Sequence, residues 1–205
     1  MNIIQILDEL KMNVENNLAA LLPFQRNKPI PNSHKAQIIK NLQIKSKCGI
    51  FLETGTFKGE MINSLKAYFP RLISIELDGT LFQNAKKIFL GAGNIEIVQG
   101  DSGIILDKII APLDDHVFYW LDAHCDGAGT NTARGVLYSP ITRELKAIAE
   151  HSKKIDKKPI IMIDDADCFN GQNDYPSIDR LYQLISGYFP AHKIKNLHNI
   201  IEITY

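Results

Sequence analysis

Acidic residues follow the ends of five successive apolar segments of this sequence. They are Glu53, Glu76, Asp101, Asp122 and Asp164, the last of which is followed at once by Asp165. In a parallel α/β sheet, ligands bind beyond the carboxyl ends of the strands. Because a carboxylate accepts several hydrogen bonds and attracts cations, this pattern indicates a ligand site made of acids at one edge of a sheet.

A glycine loop follows the first of these acids. Gly55 and Gly59 are separated by three residues, and a helical pattern begins directly after them. A strand that runs into a tight loop and then a helix lets the backbone approach a nucleotide-like ligand closely. The spacing differs from the dinucleotide fingerprint Gly-x-Gly-x-x-Gly, and no Gly-Lys-Ser or Gly-Lys-Thr is present to form a phosphate-binding P-loop.

The elements that position these residues alternate between strand and helix patterns. Strands are predicted at 49–53, 72–77, 95–98, 117–122 and 159–164. Continuous apolar strands alternating with amphipathic helices indicate a mainly parallel α/β sheet covered on both faces. Ser139-Pro140 is expected to begin one of these helices, and a terminal β-hairpin is expected around His198-Asn199.

The size and charge of the chain narrow its class. Its 205 residues suit one α/β domain, and 23 Lys and Arg balance 23 Asp and Glu. No overall field therefore favours nucleic acid or an anionic membrane, and no apolar run approaches the roughly 20 residues that span a bilayer. Three widely spaced cysteines without a CxxC favour a reducing cytoplasm over a disulfide framework or a zinc site.

Four segments resemble the motifs of class I S-adenosylmethionine-dependent methyltransferases, in the order of that family. They are Glu53–Gly59, Ser74–Asp78, Gln99–Ser102 and Tyr119–Asp122. The resemblance implies a Rossmann-like, doubly wound, mainly parallel seven-stranded sheet with a C-terminal antiparallel hairpin. The methyltransferase domain would cover residues 47–205, and residues 1–46 would form an N-terminal helical cap that is too short to fold independently.

The resemblance also implies how S-adenosylmethionine would be held. Gly55 would let the loop pass close to the methionine part of the donor, and Glu53 would help to hold its ammonium group. Glu76 would accept hydrogen bonds from the ribose hydroxyls, and Asp101, with Ser102 beside it, would bind the adenine amino group. The further donor-binding residues would be Thr56, Gly59 and Asp122. Asp101 could instead cap the following helix, or serve both purposes.

Three carboxylates are expected at the ends of the fourth and fifth strands, from Asp122, Asp164 and Asp165. They would repel one another unless a positive charge neutralised them, and a divalent cation with oxygen ligands would do so. The pattern resembles the Mg²⁺ site of metal-dependent O-methyltransferases that act on catechols and on sugars of natural products. One of these aspartates could instead cap a helix.

The catalytic and substrate residues are expected beside this site. His124 is the candidate general base, because its usual pKa lies near neutrality, and Asp122 is the second catalytic candidate. Arg134 could hold an anionic group of the substrate, and Tyr175 could form a wall of the pocket. The catechol enzymes have a lysine three residues after the aspartate. Here that residue is Cys125, so a catechol substrate is disfavoured.

Together these features predict an enzyme that methylates a hydroxyl of a small polar metabolite, a sugar or sugar nucleotide, with S-adenosylmethionine as donor and Mg²⁺ as helper. Two alternatives remain open: a metal-independent N- or O-methyltransferase, and a non-catalytic domain with the same fold. The only expected partner is the small-molecule substrate, with no nucleic acid and no membrane. The N-terminal helices could cover the donor or build a homo-oligomer.

Overall fold

The computed structural model describes residues 28–122 and 135–205, and these parts contain seven strands and six α-helices. The strands are β1 (Ile50–Thr54), β2 (Arg71–Glu76), β3 (Ile95–Gln99), β4 (Val117–Leu121), β5 (Ile160–Ile163), β6 (Lys193–Leu197) and β7 (Ile200–Thr204). The helices are α1 (Asn32–Ser46), α2 (Glu60–Leu65), α3 (Gly79–Ile88), α4 (Ser102–Ile110), α5 (Ile141–Ile155) and α6 (Ile178–Tyr188). A short 3₁₀ turn, Ala166–Cys168, follows β5.

The strands form one sheet in the order β3-β2-β1-β4-β5-β7-β6. β1 to β5 are parallel, whereas β7 is antiparallel to β5 and pairs with β6. His198 and Asn199 turn the terminal hairpin with φ of 57° and 63°, as a two-residue type I′ turn requires. The predicted doubly wound sheet with its antiparallel hairpin is thereby confirmed.

Helices cover both faces of the sheet, which explains why the central strands β1, β4 and β5 are buried along their whole length. On one face the sheet packs against apolar residues of α4, α5 and α6, among them Leu106, Ile110, Leu145, Ile148, Leu181 and Ile185. On the other face it packs against α1, α2 and α3 through Ala36, Ile39, Met61, Ile62, Leu65 and Ala85. Alternate strand residues point to the two faces, so each strand supplies both cores.

Side chains at the strand ends begin several of the helices. Asp78 caps α3 by accepting hydrogen bonds from the backbone N–H groups of Thr80 and Leu81, both at 2.8 Å.

The start expected for α5 was wrong by one residue. Pro140 is its N-cap and Ile141 its first residue, and among the described residues no group lies within hydrogen-bonding distance of the buried Ser139 hydroxyl.

The helix expected over 34–45 is present as α1 and packs directly on the sheet. Ala36 and Ile39 are buried in the same cluster as Phe51, Phe118 and Trp120. The helix expected over 1–22 lies outside the described residues, and the domain boundary at residue 46 stays a prediction. Of the helices in residues 28–122 and 135–205, none has the length and hydropathy needed to cross a bilayer.

Candidate active site

The predicted acids lie at the carboxyl edge of the parallel strands. Glu53 and Glu76 lie at the ends of β1 and β2, and Asp101, Asp122 and Asp164 follow β3, β4 and β5 within two residues. The strand order reverses between β1 and β4, and doubly wound sheets bind their ligands in the crevice at this reversal. The fold therefore places all five acids along the edge where a ligand is expected.

Glu53 is held by the hydroxyl group of Ser74, which in turn contacts the hydroxyl group of Thr56. The parallel register puts Ser74 of β2 beside Glu53, and the Ser74 hydroxyl donates to Glu53 Oε1 at 2.6 Å. The hydroxyl oxygens of Ser74 and Thr56 are 2.5 Å apart, and all three side chains are buried. This chain of hydrogen bonds fixes the Glu53 carboxyl group at the start of the glycine loop.

Burial raises the pKa of Glu53 well above its ordinary value. The hydrogen bond from Ser74 opposes this rise, and the negative charges of Asp122 and Glu76 add to it. A carboxylate removed from water is costly unless a positive charge compensates it. The Glu53 site therefore favours a proton or a cationic ligand group, and the ammonium group assigned to it from the sequence is such a group.

Glu76 connects the end of β2 to the glycine loop. Its Oε2 accepts a hydrogen bond from the backbone N–H of Phe57 and its Oε1 from that of Asp78, both at 2.8 Å. Burial raises the pKa of Glu76, and these N–H groups oppose the rise. Because each carboxylate oxygen can accept a second hydrogen bond, Glu76 keeps the capacity to bind ribose hydroxyls.

The glycine loop needs glycine at two positions. Gly55 has φ of 96° and donates its N–H to the carbonyl of Ile75 at 2.9 Å. Gly59, the N-cap of α2, has φ of 74°, and a Cβ atom there would lie 2.8 Å from the ring of Phe89. Side chains are strained in this left-handed region, so the loop takes its shape from the residue types that the sequence places there.

Asp101 caps α4 and also holds a distant segment. Its Oδ1 accepts from the backbone N–H of Gly103, and its Oδ2 from that of Val136, both at 2.9 Å. The capping role that the sequence left open is thus present. The adenine-binding role stays a prediction, as does that of the neighbouring Ser102, which is buried at the start of α4.

Residues 135–138 link this part of the edge to the loop before α6. Tyr138 donates its backbone N–H to Asp174 Oδ2 at 3.2 Å. The next residue, Tyr175, packs its ring edge-to-face against Phe169, with ring centroids 5.8 Å apart. Tyr175 therefore belongs to a supported loop beside the strand ends, and its role toward a substrate stays a prediction.

Asp122 lies at the strand reversal itself. Its backbone N–H is 3.0 Å from the carbonyl oxygen of Thr54 and 3.3 Å from the Thr54 hydroxyl. Its negative charge raises the pKa of both Glu53 and Asp164. The charge of Asp122 therefore acts on acids on both sides of the strand reversal, Glu53 at the end of β1 and Asp164 after β5.

Asp164 forms a buried ion pair that the sequence analysis did not foresee. Its Oδ2 binds the ammonium group of Lys35 from α1, and its Oδ1 accepts the backbone N–H of Asp165 at 3.0 Å. The pKa of Asp164 is raised to about 6, mainly by burial and also by the charge of Asp122, while Lys35 opposes the rise. The ammonium group also lies 5.8 Å from the centroid of the Trp120 ring.

The predicted magnesium site does not fit this arrangement. Within residues 28–122 and 135–205, no three His, Cys, Asp or Glu side chains are grouped so that they could hold a metal ion. Asp122, Asp164 and Asp165 therefore do not assemble as the expected ligand set. At Asp164, the paired positive charge is the ammonium group of Lys35.

Two predicted residues, His124 and Arg134, lie outside the described residues, and their roles stay predictions. Two other residues were missed. Ser74 is a polar residue within the buried strand β2, which is a signal that the sequence offered. For Lys35 the sequence offered no signal. It is separated from Asp164 by 129 positions, and its helix α1 contains none of the predicted site residues.

Comparisons with solved structures identify the fold. An O-methyltransferase from Bacillus cereus, solved with S-adenosylhomocysteine, has 18% identity and a TM-score of 0.56, with 96% of this chain and 90% of that chain covered. A methyltransferase from Podospora anserina, also with S-adenosylhomocysteine, has 12% identity and a TM-score of 0.55, covering 83% and 77%.

The O-methyltransferase TomG from Streptomyces achromogenes, solved with S-adenosylmethionine, has 16% identity and a TM-score of 0.51, covering 83% of this chain and 79% of that one. No protein-family model and no curated protein sequence matches this chain. The structural likeness and the strand order agree with the motifs described above. This chain therefore has the Rossmann-like fold of class I S-adenosylmethionine-dependent methyltransferases.

Proposed function

We propose that this protein transfers a methyl group from S-adenosylmethionine to a hydroxyl of a small polar metabolite, a sugar or sugar nucleotide. The observation that carries the proposal is the row of Glu53, Glu76 and Asp101 at the ends of three adjacent strands, beside the glycine loop. The similar solved structures contain S-adenosylmethionine or S-adenosylhomocysteine, which supports the same donor here. The sugar part of the proposal rests on the sequence resemblance.

The row of Glu53, Glu76 and Asp101, which we call the donor side, matches the donor in polarity. Adjacent strands lie about 4.8 Å apart, so the ends of β1, β2 and β3 span roughly 10 Å. Along this distance the donor would offer an ammonium group to Glu53, ribose hydroxyls to Glu76 and an adenine amino group to Asp101. Each of these is a hydrogen-bond donor that a carboxylate binds well.

The transfer itself is an in-line displacement. The acceptor oxygen forms a bond to the methyl carbon while the carbon–sulfur bond breaks, and the acceptor hydroxyl gives its proton to a base. Asp122 and His124 are the proposed groups for binding and deprotonating the acceptor. Alignment of the reactants supplies much of the rate enhancement, up to about 7–11 kcal/mol. No step is assigned to a metal, because Asp164 is already paired with Lys35.

Calorimetry with S-adenosylmethionine and S-adenosylhomocysteine tests the donor. We expect one saturable site, and no binding at millimolar concentration would refute the proposal. A turnover assay with sugars and sugar nucleotides should then yield S-adenosylhomocysteine and a methyl ether. Donor binding without turnover on any acceptor would favour the non-catalytic alternative.

The base is tested in the same assay. His124→Ala is expected to lower kcat strongly while donor affinity remains, because the base acts on the acceptor. If His124→Ala keeps full activity and Asp122→Asn loses it, the base is Asp122.

A further inference from the structure

We infer that the ammonium group of Lys35 takes the place of a divalent cation at the ends of β4 and β5, and that it prevents such a cation from binding to Asp164. The inference about cation binding stands on the structure alone. Its consequence for catalysis, that methyl transfer needs no metal, rests on the proposed function. We call Asp122, Asp164 and Lys35 the acceptor side of the site.

The first support is the way in which Asp164 is occupied. Its side chain is buried, with 3% of its surface exposed, and Oδ2 binds the Lys35 ammonium group directly. The other oxygen accepts the backbone N–H of Asp165. A divalent cation that approached Asp164 would have to displace the ammonium group or lie next to it, and two like charges at such short distance repel strongly in a buried site.

The second support is that Lys35 is fixed by its helix. Its side chain is only 10% exposed, and its backbone N–H donates to the carbonyl of Pro31 in the first turn of α1. Ala36 and Ile39 anchor the helix in the core, while Asn32 binds Glu60 of α2 at 2.9 Å. The packing of α1 therefore fixes Lys35 next to Asp164, unlike a lysine on the surface, whose side chain is free to move.

The third support is the surroundings of the ammonium group. The aromatic ring of Trp120 in β4 lies near it, and Asp122 directly follows the same strand. The ring face and the Asp164 carboxylate both favour a positive charge at this point. The chain thus provides a site for one cation and fills it with its own side chain.

Manganese binding, followed by the electron paramagnetic resonance signal of free Mn²⁺, tests the inference. Wild-type protein is expected to show no saturable Mn²⁺ site that depends on Asp164. The Lys35→Met variant should gain a saturable site that binds Mn²⁺ at least about tenfold more tightly than any residual binding by wild type, and the double variant with Asp164→Asn should lose that gain. Lys35→Arg, which keeps the positive charge, should behave like wild type.

The matched control is Lys146→Met, which removes an exposed lysine paired with Glu150 on α5. It should leave Mn²⁺ binding unchanged. The inference is overturned if wild-type protein binds Mn²⁺ and loses it on Asp164→Asn, or if folded Lys35→Met gains no binding. If Lys35→Met does not fold, the comparison of wild type with Asp164→Asn still decides.

The consequence for catalysis is tested with a chelator. Excess EDTA should leave the methyl-transfer rate of wild type unchanged, whereas a loss that added Mg²⁺ restores would overturn the inference. If no methyl transfer is found with any acceptor, the proposed function fails, but the Mn²⁺ titrations still test the role of Lys35.

Discussion

On the donor side of the site, Glu53 and Glu76 are bound by groups from nearby in the chain, whereas on the acceptor side Asp164 is bound by a lysine from a distant helix. The hydrogen bonds to Glu53 and Glu76 come from residues at most 21 positions away. The charged partner of Asp164 is 129 positions away. The donor side uses neutral N–H and O–H donors, and the acceptor side uses a full positive charge.

This difference has a physical consequence. Burial raises the pKa of Glu53 and Glu76, and the neutral donors offset only part of that rise, so both carboxyl groups can still attract a cationic or hydrogen-bonding ligand. Burial raises the pKa of Asp164 as well, but there the charge of Lys35 lowers it. The ammonium group at Asp164 removes much of that attraction. Glu53 and Glu76 are therefore better suited than Asp164 to bind a cationic ligand, and the ion pair of Asp164 joins α1 to the end of β5.

If Asp164 has a structural ion pair, removing Lys35 should be costly. Lys35→Met leaves a buried carboxylate without its partner, and we expect a loss of about 3–5 kcal/mol in the free energy of unfolding, measured by urea denaturation. Lys146→Met, which breaks an exposed pair, should cost less than about 0.5 kcal/mol. Equal small losses in both variants would contradict a structural role for the buried pair of Lys35 and Asp164.

The glycine loop should lose stability when a side chain is added at Gly59. Gly59→Ala places a Cβ atom 2.8 Å from the Phe89 ring at a positive φ, and we expect a loss of about 2–3 kcal/mol. Gly91 also has a positive φ, but a Cβ there would have no atom within 4 Å, so Gly91→Ala should cost about 1 kcal/mol. Thermal unfolding of the two variants measures the difference.

If Glu76 binds the ribose, Glu76→Ala should weaken S-adenosylmethionine binding by roughly 10- to 100-fold in calorimetry, the effect of losing one or two charge-assisted hydrogen bonds. Glu96→Ala is the matched control, because Glu96 lies on the adjacent strand and makes an exposed ion pair with Arg71. Its donor affinity should not change. Unchanged affinity in Glu76→Ala would remove Glu76 from the donor site.

Donor affinity should also depend on pH through Glu53. Because the pKa of Glu53 is raised and an ammonium ligand favours the ionised form, affinity should increase as the pH rises through that pKa, by at most about tenfold per pH unit. The same shift has the opposite sign for stability. The contribution of protonated Glu53 is present below its unfolded pKa and is lost as the pH rises through the folded one.

Calorimetry in two buffers of different ionisation enthalpy will detect the proton released by Glu53 on binding. Glu53→Gln should release none and should show a flat pH profile over the same range. A profile that is equally steep in wild type and Glu53→Gln would assign the pH dependence to another group.

The sheet and the positions of the acids at its edge could be predicted because their determinants are local, whereas the donor-binding roles of these acids stay predictions. Each strand with its following loop forms a short sequence pattern, and a parallel register then places Ser74 beside Glu53. The helix caps at Asp78 and Asp101 are likewise contacts between residues two or three positions apart. Such contacts depend on spacing, which a sequence displays directly.

The arrangement of the acceptor side could not be predicted, because it depends on how elements that are distant in the sequence pack together. The sequence analysis expected a divalent cation to neutralise the carboxylates of Asp122, Asp164 and Asp165. In the structure, the positive charge beside Asp164 is instead that of Lys35. The sequence did not indicate this lysine, because no periodicity links Lys35 to Asp164. Lys35 reaches Asp164 because α1 packs on the face of the sheet that carries Trp120. Ala36 and Ile39 are buried there, and their packing places the Lys35 ammonium group beside the carboxylate.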